Sequence, residues 1–428
     1  MTGLTVTQKI IAAHTADGTA PAGGIVTVRP DVVLLNDVSG PLAFEQFDAM
    51  GAPRPFDPER IVLVADHFAP APDITAAGAI AMTQGFARKH GIRHYYDPGR
   101  GGIEHTLLAE LGMVGHGSIV FGADSHTCTA GAFNALGMGF GSTDLAGALA
   151  MGQLWMRVPD SIRVELVGKP GAYVTGKDVI LELIRRIGSD GAADASLEFG
   201  GPALAVLPMD ARMAIANMAV EGGADTCVFD GDAQSTEDMV RRGVPAAPPV
   251  LADADAVYRQ VITIDLGTLS PLVAKPPSPA SGVAVETLRG QKVDQVYVGN
   301  CSNGTITDLR QVAEILRGRR VADGVRMVVV PATQKIWRQA LAEGLLDIIA
   351  EAGAAVSTPT CGACFGGHMG ILAAGETAIA TTNRNYRGRM GHPDSQVFLA
   401  NAWVAAAAAV AGEIIPPGEV AAKLETVA

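Results

Sequence analysis

Short apolar runs alternating with helical patterns make this chain an α/β protein, and three observations carry that reading. The runs IVTV, DVVLL, RIVLVAD and SIVFGAD are rich in Val and Ile; their apolar parts are of strand length and read as buried strands. Between them lie the helical patterns DITAAGAIAMTQGFARKHG, STDLAGALAMGQLWM and GKDVILELIRRIG. Composition agrees, with 5% aromatics, 51 glycines and many alanines favouring tight turns and close helix–sheet packing. Alternation at this pace implies α/β layers on a mainly parallel or mixed sheet.

In chain order, TVTQKIIAAH predicts a short amphipathic helix opening on a threonine cap. The proline-rich SPLVAKPPSPASGVAV, residues 270–285, cannot sustain a regular element and reads as a linker. Beyond it, QVYVGNCSNGTITDLRQVAEIL predicts strand, loop, helix, and RMVVVPATQKIWRQALAEGLLDIIAEAG repeats that order. The most apolar stretch, Val397–Gly412, is alanine-rich and interrupted by Asn401. It is short for a membrane span and predicts a buried helix. With 428 residues and 48% hydrophobic content, at a mean hydropathy of +0.25, the chain is long enough for two or three well-packed domains. The expected division separates 1–283 from 284–428.

The formal net charge of −12 argues against a nucleic-acid partner, which favours a basic footprint. A small anionic substrate stays compatible, because local arginines decide the field in a cleft. The cysteines are Cys128, Cys227, Cys301, Cys361 and Cys364, an odd set of 5, and the opening residues carry no secretory pattern. The chain therefore reads as cytoplasmic and off the membrane, where a CxxC pair signals metal or redox chemistry.

Cys301 in VYVGNCSNGT and the pair Cys361 and Cys364 in STPTCGACFGG supply three soft ligands and no fourth. A cluster with every corner ligated by cysteine carries electrons. A three-cysteine cubane leaves one iron open as a Lewis acid. His368, four residues past Cys364, keeps a Cys₃His zinc site as the rival. Cys128 and Cys227 read as packing residues.

His67 follows Asp66 where a predicted strand ends, the place where α/β folds present functional groups. A carboxylate beside an imidazole raises its pKa and sets its tautomer, which suits a general acid. IVFGADSHTCTAG repeats the device with Asp124, Ser125 and His126, and GGIEHTLL adds His105. His14, His90, His94 and His116 read as structural residues at helix ends or turns. NRNYRGRMG holds Arg384, Arg387 and Arg389 beside Asn383 and Asn385. Guanidinium forks of this kind grip carboxylate bidentately.

On VADHF, GIEH, FGADSHTCTAGAFNALGMGFGSTDLA, VGNCSNG, PTCGACFGGHMG and TTNRNYRGRMG, the chain resembles the aconitase superfamily over nearly its whole length. Within it the likeness is to the short, archaeal-like type of 3-isopropylmalate dehydratase large subunit. The resemblance implies an aconitase-type three-domain large subunit, α/β layers around a central iron–sulfur cluster, lacking the C-terminal swivel domain. Domains 1 and 2 would intertwine within 1–283, with domain 3 in 284–428. It implies a 4Fe–4S cluster held by Cys301, Cys361 and Cys364, one iron not being ligated by protein. It further implies that Asp66–His67 delivers a proton to a departing hydroxyl. His105 would pair with Asp124, and His126 with Glu198 of LEFGG. Asn383 would lie near the cluster, Arg384 and Arg389 would meet a substrate carboxylate, and Ser125 would share the pocket.

The implied substrate is a malate bearing a 2- or 3-substituent, dehydrated to an alkene diacid and rehydrated in the other sense. The chain closes on GEIIPPGEVAAKLETVA, so the catalytic base is expected on a separate small subunit, in a heterodimer or heterotetramer. Homoaconitase and citraconate- or 2,3-dimethylmaleate-type hydratases remain open, because substrate choice in this family lies largely on a small-subunit loop. Asn300 stands where the family commonly has serine, and Thr360 where it has glycine or alanine. An RNA-binding regulator, the role of some relatives, sits poorly with the acidic balance.

Overall fold

Buried runs of Val, Ile and Leu become the main sheets of the structure, a computed structural model that describes residues 3–422. The chain forms two units. One comprises Met1–Asp97, Glu104–Gly168 and Asp190–Ile264; the other comprises Pro98–Ile103, Lys169–Ser189 and Asp265–Ala428.

In the first unit a 5-stranded parallel sheet runs in the order His94–Tyr96, Ile61–Val64, Val32–Asn36, Ile119–Gly122, Leu136–Gly139. Its three middle strands are buried at every position, which is why they read as continuous apolar runs without alternation. The helix Ile74–His90 begins where Asp73 accepts the Ala76 N–H (2.8 Å) and stops at Gly91, whose φ of 68° is left-handed. Those are the expected cap residues. Phe86 of this helix stacks on Phe44 with ring centroids 3.9 Å apart. A 4-stranded sheet follows the order Thr226–Phe229, Ala195–Gly200, Asp160–Val167, Gln260–Asp265. The opening helix is Val6–Ala13, with Thr5 and Gln8 forming a reciprocal capping box.

Two expectations change in this unit. Ile25–Val28 is a strand but not a buried one, since it pairs antiparallel with Leu154–Arg157 in a 2-stranded ribbon and leaves Ile25 64% exposed. The LWM end of STDLAGALAMGQLWM belongs to that ribbon rather than to a helix. The helix Ser142–Met151 is ended by Gly152, at φ 69°.

The second unit is built on a 7-stranded sheet in the order Gly282–Ala284, Leu272–Ala274, Gln396–Leu399, Thr377–Ala380, Gln295–Gly299, Arg326–Val330, Ala355–Val356. The last five are mutually parallel, and the first two join antiparallel. The proline-rich stretch read as a linker is thus this sheet's edge hairpin. Pro271, Pro276, Pro277 and Pro279 fall outside its strand residues, where no ladder N–H is needed. Val397–Gly412 is likewise two elements, the end of strand Gln396–Leu399 and the buried helix Ala402–Ala411. Asn401, the apparent interruption, is the helix cap and accepts the Val404 N–H (2.9 Å). After Gln295–Gly299 the expected loop is a short helical turn, Asn300–Asn303, before the helix Ile306–Leu316. RMVVVPATQKIWRQALAEGLLDIIAEAG gives one strand and two helices, Gln334–Ala342 and Leu345–Glu351, broken at Gly344. Among the described residues no helix is long and apolar enough to cross a membrane.

Candidate functional site

The parallel sheet of the first unit delivers its carboxylates at the carboxyl ends of three adjacent strands. Asp37 follows Val32–Asn36, Asp66 and His67 follow Ile61–Val64, and Asp124 follows Ile119–Gly122. Asp37 accepts the backbone N–H groups of Asp66 (3.2 Å), His67 (2.9 Å) and Phe68 (2.8 Å). That clamp fixes the turn carrying His67. Burial, then the nearby charge of Asp66, pushes the Asp37 carboxyl upward.

His67 is buried, its Nδ1 2.7 Å from Asp66 Oδ1 and its Nε2 3.7 Å from Asp124 Oδ2. Burial by itself depresses an imidazole pKa. Here the charge of Asp66 and bonding to Asp124 and Asp66 outweigh it, holding His67 well above its ordinary value of 6.5. The carboxylates around His67 thus favour its protonated form. Asp66 Oδ2 also accepts the Glu104 N–H (2.7 Å), at the start of the helix Glu104–Glu110.

That helix places His105 Nε2 3.1 Å from Asp124 Oδ1, as expected. The same Asp124 oxygen accepts the His126 N–H (2.7 Å) and lies 3.2 Å from His126 Nδ1. Burial would raise Asp124, but His105, His126 and His67 hold it well below the usual carboxylate value. Ser125 begins the 3₁₀ segment Ser125–Phe133 that Asp124 caps, so it shares the turn with His126.

The expected pairing of His126 with Glu198 is not formed. His126 Nε2 lies 2.9 Å from Glu221 Oε1. Glu198 instead accepts from the Val6 N–H (3.2 Å) and Thr7 N–H (2.9 Å), and from Ser161 Oγ (2.9 Å) and the Tyr258 hydroxyl (3.2 Å). It anchors the N-terminus of the opening helix, where a carboxylate is favoured by the exposed N–H groups and the helix dipole.

Sequence reasoning also passed over Glu104. It is fully buried, with Oε1 accepting from Asn36 Nδ2 (2.7 Å) and Oε2 without a hydrogen bond among the described residues. Burial, then the charges of Asp66 and Asp124, raises its pKa well above 4.5. Asp37 had a usable signal, a carboxylate directly after the apolar run VVLLN. Glu221, in the short 3₁₀ segment Ala219–Gly222, had none.

The second unit gathers the cysteines. Cys301 follows strand Gln295–Gly299 and Asn383 follows the adjacent strand Thr377–Ala380; Cys361 caps the 3₁₀ turn Gly362–Phe365 and Cys364 lies within it. All three thiols are buried and free of disulfides. Asn383 Nδ2 donates to Cys301 Sγ (3.5 Å), and Asn300 Nδ2 to Cys364 Sγ (3.3 Å). The buried Lys177 Nζ donates to the Thr381 and Thr382 carbonyls (2.9 and 2.7 Å), fixing the turn that carries Asn383. Arg389 Nε donates to the Cys364 carbonyl (2.7 Å). Arg384 is half-buried, whereas Arg387 is exposed and paired with Asp394 (2.9 Å).

Three buried free thiols, with amide N–H groups directed at two of them, form a donor set that fits an iron–sulfur cluster. Sulfurs on one tetrahedral zinc, at a Zn–S distance of about 2.3 Å, must lie about 3.8 Å apart. Among the described residues, the donor groups whose ligand atoms all fall within 4.8 Å are His105–Asp124–His126, Asp37–Asp66–His67 and His67–Glu104–Asp124. No cysteine set, with or without His368, is among these groups. The Tyr297 hydroxyl adds a second observation. It is fully buried, and burial followed by the nearby Cys364 and Cys361 raises its pKa well above the usual tyrosine value. Cys128 and Cys227 are buried in the first unit, their thiols facing the Asn217 and Cys128 carbonyls (3.5 and 3.4 Å). They are packing residues, as expected.

Of the histidines expected to be structural, His14 ends the opening helix and contacts Asp31 (2.9 Å), and His116 lies in a turn against Ser235 (3.1 Å). His90 closes the helix Ile74–His90, while His94 begins a strand instead of a turn.

Residues 8–412 match the model of the aconitase family (aconitate hydratase). The chain is 54% identical to the "3-isopropylmalate dehydratase large subunit 2" of Rubrobacter xylanophilus, over 97% of this chain and 98% of that one. It is 50% identical to the 3-isopropylmalate dehydratase large subunit of Nitratidesulfovibrio vulgaris, over 97% and 99%. Among solved structures, the holo-form of aconitase X from Thermococcus kodakaraensis aligns with a TM-score of 0.49 at 13% identity, covering 83% of this chain and 84% of that one. A match this long, carrying the histidine–carboxylate and cysteine motifs together, makes the chain a member of the aconitase family.

Proposed function

We propose that this chain is the large catalytic subunit of a 4Fe–4S hydro-lyase that interconverts 3-isopropylmalate and 2-isopropylmalate through isopropylmaleate. Cys301, Cys361 and Cys364 would hold the cluster. When bound, it supplies an iron with an open position, which acts as a Lewis acid toward a hydroxy acid. Arg384 and Arg389 bind a substrate carboxylate, with guanidinium geometry supplying the fork.

Dehydration breaks a carbon–oxygen bond and a bond from the adjacent carbon to hydrogen. His67, held charged by Asp66, gives its proton to the leaving hydroxyl, which departs as water. His105, Asp124, His126, Glu221 and Ser125 hold that water, so the reverse addition on the other carbon completes the isomerisation. The base that takes the carbon-bound proton is assigned to a separate small subunit. That partner is supported by the relatives' name, large subunit. A cytoplasmic location suits such an assembly, as does the lack of any membrane-spanning helix among the described residues.

The observation that carries the reading is the buried His67–Asp66 pair at 2.7 Å, with the imidazolium stabilised well above 6.5. The test is to reconstitute the chain anaerobically with its small subunit and assay 3-isopropylmalate, homocitrate, citramalate and 2,3-dimethylmalate. Turnover of 3-isopropylmalate supports the reading. Turnover of only another substrate reassigns it to a homoaconitase or a citraconate- or dimethylmaleate-type hydratase. Protein lacking iron and sulfide removes the chemistry altogether.

A further inference from the structure

Asn300 has no role in the chemistry above, yet its side chain makes five hydrogen bonds beside the cysteines. It is fully buried and adopts φ 78°, a left-handed conformation that asparagine tolerates better than most residues. Its Oδ1 accepts from the N–H groups of Ser302 (2.9 Å) and Asn303 (3.3 Å) and from Ser302 Oγ (3.1 Å). Those bonds cap the turn on which Cys301 rides. Its Nδ2 donates to Cys364 Sγ (3.3 Å) and to Asn383 Oδ1 (2.7 Å). Asn383 then donates to Cys301 Sγ (3.5 Å). One amide therefore joins three separate loops and directs N–H dipoles at two of the three sulfurs, one directly and one through Asn383.

Hydrogen bonds to cluster sulfur raise the reduction potential, because they draw charge from the thiolate. We infer that Asn300 is a positioning residue that sets the electronic state of the cysteine cradle: it orients Asn383 and holds the potential of the bound cluster up through the bond to Cys364. The inference rests on the cluster reading above. A serine at this position would have too short a side chain to cap the turn and reach Cys364 together.

The test uses the full chain, anaerobically reconstituted, as wild type, N300D and N300G. Asp keeps the capping oxygen and the left-handed backbone but loses the N–H donors. Gly keeps the backbone, removes the side chain and adds no charge. The expected result is wild-type iron and sulfide content with a lower midpoint potential in both variants, and with Fe–S stretching bands moved to higher frequency in the resonance Raman spectrum. Unchanged potential and unchanged bands in both variants overturn the inference. Absence of iron and sulfide from the wild type sinks the cluster reading instead, and the two failures are therefore separable.

Discussion

His67 Nδ1 stands 2.7 Å from Asp66 Oδ1, and both side chains are buried. In that setting burial works against the imidazolium and the carboxylate works for it, with the carboxylate prevailing. The protonated form is the active one for an acid. Activity should therefore persist below the raised pKa and fall as pH rises through it.

Asp66→Asn removes the charge that holds the proton. The expected outcome is a kcat lower by about 100-fold, within the range of general acid catalysis, and an alkaline limb shifted to lower pH. A pH–rate profile checks it. An alkaline limb in the wild-type place would mean that His67 is not the acid.

Glu221 and Glu198 should separate cleanly. Glu221→Gln leaves His126 without its carboxylate and should lower activity roughly 10- to 100-fold, as loss of an orienting partner does, with little change in melting temperature. Glu198→Gln weakens the anchor of the opening helix and should cost about 1–3 kcal/mol of stability, with kcat near wild type. Paired thermal melts and steady-state kinetics decide it; the reverse pattern would reinstate Glu198 as the partner.

Glu104 makes a pH prediction of its own. Its folded pKa lies above its ordinary 4.5, so its contribution to stability is full below that ordinary value. It is lost as pH rises through the folded value. Glu104→Gln is neutral throughout and keeps the acceptor for Asn36. Melting temperature should decline less steeply with rising pH in this variant, and an identical slope in the two proteins would remove Glu104 as the titrating group.

The cysteines divide three against two. Cys301→Ala, Cys361→Ala and Cys364→Ala should each lose the iron and sulfide acquired on anaerobic reconstitution. Cys128→Ala and Cys227→Ala should retain both. Elemental analysis with acid-labile sulfide checks this, and retention in any of the first three would displace that residue from the cradle.

Much of this architecture was legible because burial leaves a plain mark. Val32–Asn36, Ile61–Val64 and Ile119–Gly122 are apolar on both faces, and His67 and Asp124 stand where such runs end. Reading failed where a local signal had a different tertiary cause. Prolines in 270–285 mark an edge hairpin, since edge strands tolerate the missing N–H groups. Asn401 looked like a fault in a helix and is its start. The Glu221–His126 bond joins positions 95 apart, set by packing with no trace in local pattern. Glu198 had the stronger sequence context, a motif at a strand, yet its hydrogen bonds go to the opening helix, Ser161 and Tyr258.

Lys177 reaches the Thr381 and Thr382 carbonyls from a segment, Lys169–Ser189, that the chain makes long before it makes the cysteines. The Gly101 and Ile103 backbone, earlier still, bonds to Gln334 and Ala332 of the same unit. The cysteine cradle is therefore not a cassette that could be cut out at one point and transplanted. A fragment starting at residue 284 would carry every thiol yet lack the lysine that steadies Asn383, and it should take up iron poorly although no ligand has been removed.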